Sequence, residues 1–340
     1  MTTLRQVAER AGVSAKTVSR VVNGEAAVHA ETRASILKIV KELGYVPNAA
    51  ARSMRTAESR VIGFLTDAVV TQPHSVDLVS GAQAEARGGG RTMLIGNTGG
   101  SAELEDEYWR LLRSHRAEGA LFAAHYHRAV SIADDDFGAP VVLLNCYDPV
   151  GRHAAVLPDD CLGGWTQANH LLKLGHRRIG VISLNPVIRA AALRQAGMAN
   201  AFRDAGVRFD EGLLRAGAEG EPGKTEHFTA HEAAFELLQL RDRPTALICG
   251  NDQIAMFALQ AALALGLKVP DDLSIIGFDD LKLFSETARP QLTTVALPYF
   301  EIGRRAMGLL TDVLKTGDAA REPDLVRCPL VERGSCRRVA

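Results

Sequence analysis

Seven short apolar runs recur along residues 61–340, separated by stretches with helical character. They are VIGFL at 61–65, TMLIG at 92–96, GALFAA at 119–124, PVVLLN at 140–145, RIGVIS at 178–183, TALICG at 245–250 and LSIIGF at 273–278. Runs of this length that alternate with helices are typical of buried strands in parallel sheets covered on both faces. The pattern therefore predicts an α/β body.

The first 46 residues follow a different pattern, in which apolar positions recur at helical spacing. Thr3, with Gln6 three residues later, has the spacing of a capping box that opens a helix. Gly12 then provides a turn where φ can be positive, and Ser14 can cap a second helix that runs to Asn23. Two short helices joined by such a turn are typical of a helix-turn-helix.

The second helix carries the candidate DNA-reading side chains. Its valines face inward and leave Lys16 and Arg20 outside, where they can donate to guanine O6 and N7 in a major groove. Neighbouring hydroxyl and amide groups suit phosphate oxygens. The candidate DNA contacts of the head are Thr3, Ser14, Ala15, Lys16, Thr17, Ser19, Arg20 and Asn23.

A third helix, about Glu31 to Leu43 and closed by Gly44, completes the small core of the head. An ordinary three-helix bundle with a basic face is the alternative. The charge distribution favours the DNA-binding interpretation, since residues 1–58 carry nine basic and five acidic residues, a net +4, in a chain whose net charge is −1. A basic head on an acidic body suits a polyanionic partner at one end.

Polar side chains follow six of the seven apolar runs. They are Thr66 and Asp67, Asn97, His125 and Tyr126, Asn145, Asn251 and Asp252, and Asp279 and Asp280. In open α/β sheets ligands bind beyond the carboxyl ends of the strands. Asn and Asp can bind hydroxyl groups, and an aromatic ring can cover the apolar face of a sugar. For any single one of these residues, capping of the next helix is the alternative role.

Several function classes lack support in the sequence. We find no GxSxG, GxxxxGK[ST], HExxH or strand-linked GxGxxG motif, so we expect no enzyme, no catalytic residue and no cofactor. The five cysteines are widely spaced, without a CxxC pair, which argues against a disulfide framework and a metal site. Apolar runs are too short to span a membrane and the first residues are charged, so we expect a cytoplasmic, nucleoid-associated protein.

The segment TLRQVAERAGVSAKTVSRVVN closely resembles the DNA-binding head of the LacI-type family of transcriptional regulators. One departure is His29, where the family usually begins its third helix with Ser or Thr. The resemblance implies that residues 47–60 form a hinge that becomes helical when two copies meet over the minor groove. There an apolar side chain, here Met54, enters a base step. The hinge candidates for DNA contact are Asn48, Ala51, Met54 and Arg55.

The segments HLLKLGHRRIGVIS, ICGNDQIAMFALQAALALGLKVPDDLSIIGFDD and RPQLTTV resemble the effector domain of the same family. That resemblance implies a body like periplasmic sugar-binding proteins, with two similar subdomains around a cleft. The resemblance, carried over by position, implies effector contacts at six residues, and His125 is added because it follows a predicted strand. The candidate effector contacts are His74, Ser75, His125, Arg194, Phe228, Asn251 and Asp279. Asp159 matches the first residue of the family's Asp-Asn pair, and Asp160 replaces the Asn. We interpret this pair as crossover structure more than as a ligand contact.

We therefore expect a helix-turn-helix domain at 1–46, a hinge at 47–60 and an effector-binding domain at 61–340. The N-subdomain is expected at about 61–158 and 298–318, and the C-subdomain at about 159–297 and 319–340. The expected function is repression from a pseudo-palindromic double-stranded DNA operator, by a homodimer whose affinity changes with a bound sugar or sugar derivative. A co-repressor-dependent regulator that responds to a purine-like ligand, and a sugar-binding protein without a DNA role, are the alternatives.

Overall fold

The computed structural model describes residues 2–22, 28–45, 58–71, 76–132, 137–222, 224–318 and 322–339. The chain divides into two compact units, Met1–Arg60 and Val61–Ala340. The first unit contains helices α1 (Leu4–Ala11), α2 (Ala15–Val22) and α3 (Ala30–Glu42). The second contains two six-stranded sheets with helices around them. The expected combination of a helical head and an α/β body with parallel sheets is confirmed.

The head is held together by a small apolar core at the centre of its three helices. Its fully packed members are Val7, Ala8, Val18, Val21 and Ile36. Helix α3 begins one residue earlier than expected and its N-cap, His29, makes no side-chain capping hydrogen bond. This fits the departure noted at His29 in the sequence.

The first sheet of the body has the strand order β13-β5-β4-β3-β1-β2, and all its pairs are parallel. Its strands are β1 (Val61–Thr66), β2 (Thr92–Asn97), β3 (Gly119–Ala129), β4 (Val141–Tyr147), β5 (Ala154–Pro158) and β13 (Asp324–Val326). Helices α4 (Val76–Gly88), α5 (Ala102–Ser114) and α11 (Tyr299–Thr316) accompany it. Two separate clusters of buried apolar side chains show that both faces are covered.

The second sheet has the order β14-β12-β11-β10-β6-β7, with only the β12–β14 pair antiparallel. Its strands are β6 (Ile179–Ser183), β7 (Leu214–Ala216), β10 (Ala246–Cys249), β11 (Ser274–Asp279), β12 (Thr293–Ala296) and β14 (Leu330–Val331), and a small hairpin joins β8 (Ala218–Glu219) to β9 (His227–Phe228). The accompanying helices are α6 (Asp160–Lys173), α7 (Arg189–Asp204), α8 (Ala230–Leu238), α9 (Asp252–Ala264) and α10 (Lys282–Ser285). Its two faces are also both covered.

The chain crosses between the sheets three times, and one crossing differs from the expected boundary. It leaves the first sheet after Pro158 and returns to it after Ala296. The segment from 319 onward was expected to belong wholly to the C-subdomain. Strand β13 instead pairs with β5 of the first sheet, and only β14 pairs in the second, so this crossing lies between Val326 and Leu330.

Pairs of glycines bring two helices unusually close beside each sheet. Next to the first sheet, a Cβ on Gly81 of α4 would strike the carbonyl oxygen of Phe300, and one on Gly303 of α11 would strike that of Leu78. Next to the second, Gly164 of α6 lies in the same way against the carbonyl oxygen of Arg194, and Gly197 of α7 against that of Cys161. Only glycine permits such backbone contacts.

All seven apolar runs are strands, but β5, β7, β8, β9, β12, β13 and β14 were not identified from the apolar pattern. These strands are short, and a run of two to five residues gives little periodicity to detect. All five cysteines are free thiols, three of them buried. In the part of the chain that the structure describes, no helix is both long and apolar enough to cross a membrane.

Candidate functional site: a DNA-binding head and an effector cavity

The head has the geometry that its sequence predicts at the start of both helix-turn-helix helices. The Thr3 hydroxyl accepts from the backbone N–H of Gln6 at 3.3 Å, and the Gln6 side chain accepts from the backbone N–H of Thr3 at 2.8 Å. Gly12 ends α1 with φ of 65°. The Ser14 hydroxyl accepts from the backbone N–H of Thr17 at 3.1 Å and so caps α2.

The candidate DNA contacts are presented along α2. Ser14, Ala15 and Lys16 at its start are exposed, while Thr17, Ser19 and Arg20 are half-buried and lie beside the buried Val18 and Val21. The polar side of this helix therefore faces away from the core of the head. The other candidates, Asn23, Asn48, Ala51, Met54 and Arg55, lie outside the described residues.

The body contains a cavity of about 330 Å³ between its two sheets, near the lower end of the usual size of small-molecule sites. The described residues that line it from the first sheet, the crossovers and α11 are His125, Tyr126, His127, Asn145, Pro158, Leu297 and Tyr299. Those contributed by the second sheet and its helices include Asp160, Asn185, Arg194, Glu226, Phe228, Asn251 and Asp279. Five of the seven candidate effector contacts thus line one cavity. His74 and Ser75 lie outside the described residues.

Arg194 lies on α7 with its guanidinium buried at the floor of the cavity. Its Nε donates to Asp160 Oδ1 at 2.8 Å, and a terminal nitrogen donates to the carbonyl oxygen of Gly250 at 2.6 Å. The same terminal nitrogen lies 3.8 Å from Asp279 Oδ1. The guanidinium carbon lies 3.4 Å from the ring centroid of Phe278, a cation–π contact. These contacts fix the position of the guanidinium before any ligand arrives.

Asp160, at the start of α6, is the buried link between the two sides of the cavity. Its Oδ1 accepts from Arg194, and its Oδ2 lies 2.8 Å from Nδ1 of His127, on strand β3 of the first sheet. Burial alone would raise the pKa of Asp160, but the Arg194 charge and the His127 hydrogen bond hold it below its ordinary value. Asp160 is thus an ionised carboxylate with two partners. Its neighbour Asp159 caps α6 by accepting from the backbone N–H of Leu162 at 2.9 Å, the structural role expected of it.

Asp279 ends strand β11 with φ of 106°, a left-handed backbone conformation that turns its carboxyl into the cavity. Burial raises the pKa of Asp279 to about 7, against the attraction of Arg194 and with the repulsion of Asp160. The carboxyl therefore exchanges a proton near neutral pH, so it can both donate to and accept from a ligand. The adjacent Asp280 points elsewhere and accepts from Arg333 at 2.8 Å.

His125 approaches the cavity from the first sheet. It was expected just after strand β3, but β3 continues to Ala129 with a register shift against β4 between Ala123 and Arg128. A shift of this kind re-aims side chains without ending the strand. Nδ1 of His125 lies 3.2 Å from Asp67 Oδ2, which also accepts from Arg128 at 3.0 Å. Burial opposes ionisation of Asp67, yet these two partners hold its pKa below the ordinary value.

Asn251 and Phe228 complete the predicted set. Oδ1 of Asn251 accepts from the backbone N–H of Ile254 at 2.8 Å and so caps α9. Its amide NH₂ can therefore donate hydrogen bonds to a ligand. Phe228 is 41% exposed and packs on Phe257 with ring centroids 5.5 Å apart. It supplies an apolar wall, as expected. Next to Asn251, Asp252 is fully buried, and burial raises its pKa well above the ordinary value.

Several lining residues were not predicted from the sequence, and Asp160 was predicted in a different role. Asp160 was interpreted as crossover structure, but it lines the cavity and accepts a hydrogen bond from Arg194, the arginine predicted to contact the effector. Its replacement of the family's Asn was the available signal. The other polar lining residues outside the predicted effector contacts are Tyr126, His127, Asn145, Asn185, Glu226, Gln253 and Tyr299. The sequence marks Asn145 only as one of several polar strand ends, and the structure gives it φ of 55°.

Comparison with known proteins agrees with this arrangement. Residues 3–48 match the model of bacterial regulatory proteins of the lacI family, and residues 168–336 match a periplasmic binding protein-like domain. The transcriptional repressor PurR of Erwinia tasmaniensis is 31% identical over 339 residues, covering 98% of this chain and 97% of that protein.

Two solved structures extend the comparison. A lacI-family transcriptional regulator from Rhizobium etli is 40% identical, covers 82% of this chain and 100% of its own, and has a TM-score of 0.77. The regulator CelR in complex with cellobiose is 26% identical, covers 98% of this chain and 100% of its own, and has a TM-score of 0.66. The matched relatives are regulators, not enzymes. The chain therefore belongs to the lacI family of bacterial regulatory proteins and is a DNA-binding transcriptional repressor.

Proposed function

We propose that this repressor is controlled by a sugar or sugar derivative that binds in the cavity and changes its affinity for operator DNA. The observation that carries the proposal is that polar groups from both sheets converge on one cavity. His125 and Asn145 come from one side, and Arg194, Asn251 and Asp279 from the other. A ligand held by both sides can favour one relative arrangement of the two halves of the body over another.

The lining has the chemistry that a polyhydroxy ligand needs. Carboxyl, amide and guanidinium groups can each bind hydroxyls, and Phe228 and Tyr126 offer rings to the apolar face of a sugar. The cellobiose complex of the CelR regulator supports the same ligand class, since cellobiose is a sugar. A purine-like ligand is the second candidate, because the exposed ring of Phe228 offers a surface on which a nucleobase could stack.

We place two copies of the chain on the DNA, so that two heads read a pseudo-palindromic site. The body exposes large apolar side chains that could serve such pairing, since Leu263 of α9 and Leu283 of α10 are 78% and 62% exposed. An exposed large apolar side chain suits an interface better than water. Light scattering of the purified protein should give the mass of a dimer, and Leu263→Asp with Leu283→Asp should shift it toward the monomer.

The ligand proposal is tested by a thermal-shift screen of the full chain against neutral sugars, sugar acids, sugar phosphates and nucleobases. A compound that binds the native state raises the free energy of unfolding, by about 2.7 kcal/mol when its concentration is a hundred times its Kd. The melting temperature rises as a result. The proposal expects a sugar among the compounds that act. If nucleobases raise the melting temperature and no sugar does, the ligand is instead purine-like.

A further inference from the structure

The charged groups of the cavity are unevenly distributed between acids and bases. Among the described lining residues, the carboxyl groups of Asp160, Glu226 and Asp279 face a single guanidinium, that of Arg194. Two histidines, His125 and His127, also line it. Since a charged ligand loses its water on entering such a site, its binding depends on an opposite charge that is available to it.

The positive charge of Arg194 is already used inside the protein. Its Nε donates to Asp160 at 2.8 Å, and a terminal nitrogen donates to the carbonyl oxygen of Gly250 at 2.6 Å. Oδ1 of Asp279 lies 3.8 Å from the same terminal nitrogen. Asp160 is itself about 1% exposed and fixed by His127 on its other oxygen, so it cannot rotate away to release the guanidinium without losing both bonds. Arg194 can still donate hydrogen bonds, but it brings no net charge to a ligand.

The first sheet offers no substitute cation within the described lining. Nδ1 of His125 is directed at Asp67, and that carboxylate also pairs with Arg128 at 3.0 Å. Nδ1 of His127 lies 2.8 Å from Oδ2 of Asp160, the same carboxylate that accepts from Arg194. Both imidazoles on this side therefore already face a carboxylate of the protein.

Resting on the proposed function, we infer that Asp160 sets the charge specificity of the cavity: it admits uncharged polyhydroxy compounds and excludes their carboxylate and phosphate forms. Asp160 stands where the family resemblance puts Asn, and an amide in its place would leave the Arg194 charge free for an anion. Asp160 is thus a positioning residue, which acts on the ligand through Arg194. A neutral sugar can use the carboxyl groups of Glu226 and Asp279 as acceptors for its hydroxyls, so acids that repel an anion can bind a neutral ligand.

The test measures Kd values of the full chain by calorimetry for matched probes: glucose with glucuronate and glucose 6-phosphate, galactose with galacturonate, and ribose with ribose 5-phosphate. The wild type should bind at least one neutral member, and at least tenfold more tightly than its charged partners. In Asp160→Asn the preference within that set should fall at least tenfold or reverse. Asp242→Asn, which removes the same charge from an exposed residue outside the cavity, should keep the wild-type preference.

The outcomes separate the inference from the proposed function. A wild type that binds a uronate or sugar phosphate as tightly as the neutral sugar overturns the inference and leaves a sugar-controlled repressor intact. This arm needs no variant and so does not depend on Asp160→Asn folding. An Asp160→Asn protein that melts as a single transition yet keeps the full neutral preference also overturns it. If none of these probes binds the wild type or the variant, the sugar proposal fails and the inference fails with it.

Discussion

Asp160 and Arg194 are 34 residues apart in the chain, yet Asp160 Oδ1 accepts from Arg194 Nε at 2.8 Å at the floor of the cavity. Both side chains are almost fully buried. The pair forms because α6 and α7 touch through glycines, which brings Gly164 against the backbone of Arg194 itself. The close packing of two helices therefore fixes the position of Arg194, the arginine that we propose contacts the effector.

We expect Arg194→Ala to destabilise the body by about 3–5 kcal/mol, because it leaves Asp160 buried as an unpaired charge. Adding Asp160→Asn should recover part of that loss, since the uncompensated charge is then gone. Urea unfolding of the single and double variants measures both effects. The surface pair of Arg178 and Asp210 is the control, and Arg178→Ala should cost only about 0–1 kcal/mol. Equal losses for Arg178→Ala and Arg194→Ala would contradict this account of the buried pair.

Gly197→Ala should weaken the effector response without touching a side chain of the cavity. Its new methyl group would meet the carbonyl oxygen of Cys161, forcing α6 and α7 apart at a cost of about 1–3 kcal/mol. Asp160 and Arg194 would separate with the helices. A methyl group on Gly308 of α11 would meet no atom of the described residues within 4 Å, so Gly308→Ala should instead be neutral or stabilise by about 0.5–1 kcal/mol. Thermal unfolding and ligand affinity are measured on both variants, and a Gly197→Ala protein with unchanged values would refute the packing argument.

The raised pKa of Asp279 predicts how stability depends on pH. Below the unfolded value, near 3.8, the carboxyl is protonated in both states and contributes no difference. As pH rises toward about 7, the unfolded chain loses this proton while the folded protein retains it, so folding becomes progressively less favourable relative to a neutral side chain. The stability of Asp279→Asn minus that of the wild type should therefore grow between pH 4 and 7 and then level off. Urea midpoints across this range test it, and a difference that does not change with pH would show that Asp279 ionises normally.

In the head, Lys16→Ala and Arg20→Ala should each weaken operator binding, and the loss for a residue that reads a base should be about 1–3 kcal/mol. Such a loss should fall mainly on the operator and less on a scrambled duplex. Lys38 on α3 is 79% exposed and pairs with Glu42, and Lys38→Ala serves as the control that removes one positive charge elsewhere on the head. Fluorescence anisotropy with both duplexes measures the difference. Equal losses for all three variants on both duplexes would reduce the role of α2 to general attraction of phosphate.

The fold could be predicted where the sequence carries strong local signals. The capping box at Thr3, the turn at Gly12 and the seven apolar runs each depend on neighbouring residues, and the structure contains all of them. The short strands could not be found in this way. Strand β13 has three residues, and its place in the first sheet depends on pairing with β5, in which Asp324 pairs with Val156, 168 residues earlier in the sequence.

The site was predictable only in part, for a similar reason. Resemblance located Arg194, Asn251 and Asp279, which line the cavity together. The role of Asp160 depends on the contact between α6 and α7 and on His127 of another sheet, so no local pattern indicates it. His125 lies where the register of β3 against β4 shifts, and such a shift leaves no mark in the alternation of apolar residues.

A ligand in the cavity should control DNA binding, so operator affinity and ligand affinity should be linked. An operator is first selected from a random duplex library with the full chain, and its Kd is then titrated with and without a sugar that raises the melting temperature. We expect a sequence-selected operator whose Kd changes about 5–150-fold with the sugar, and a reciprocal change in sugar affinity with operator bound. An operator affinity that stays the same at saturating sugar would contradict it.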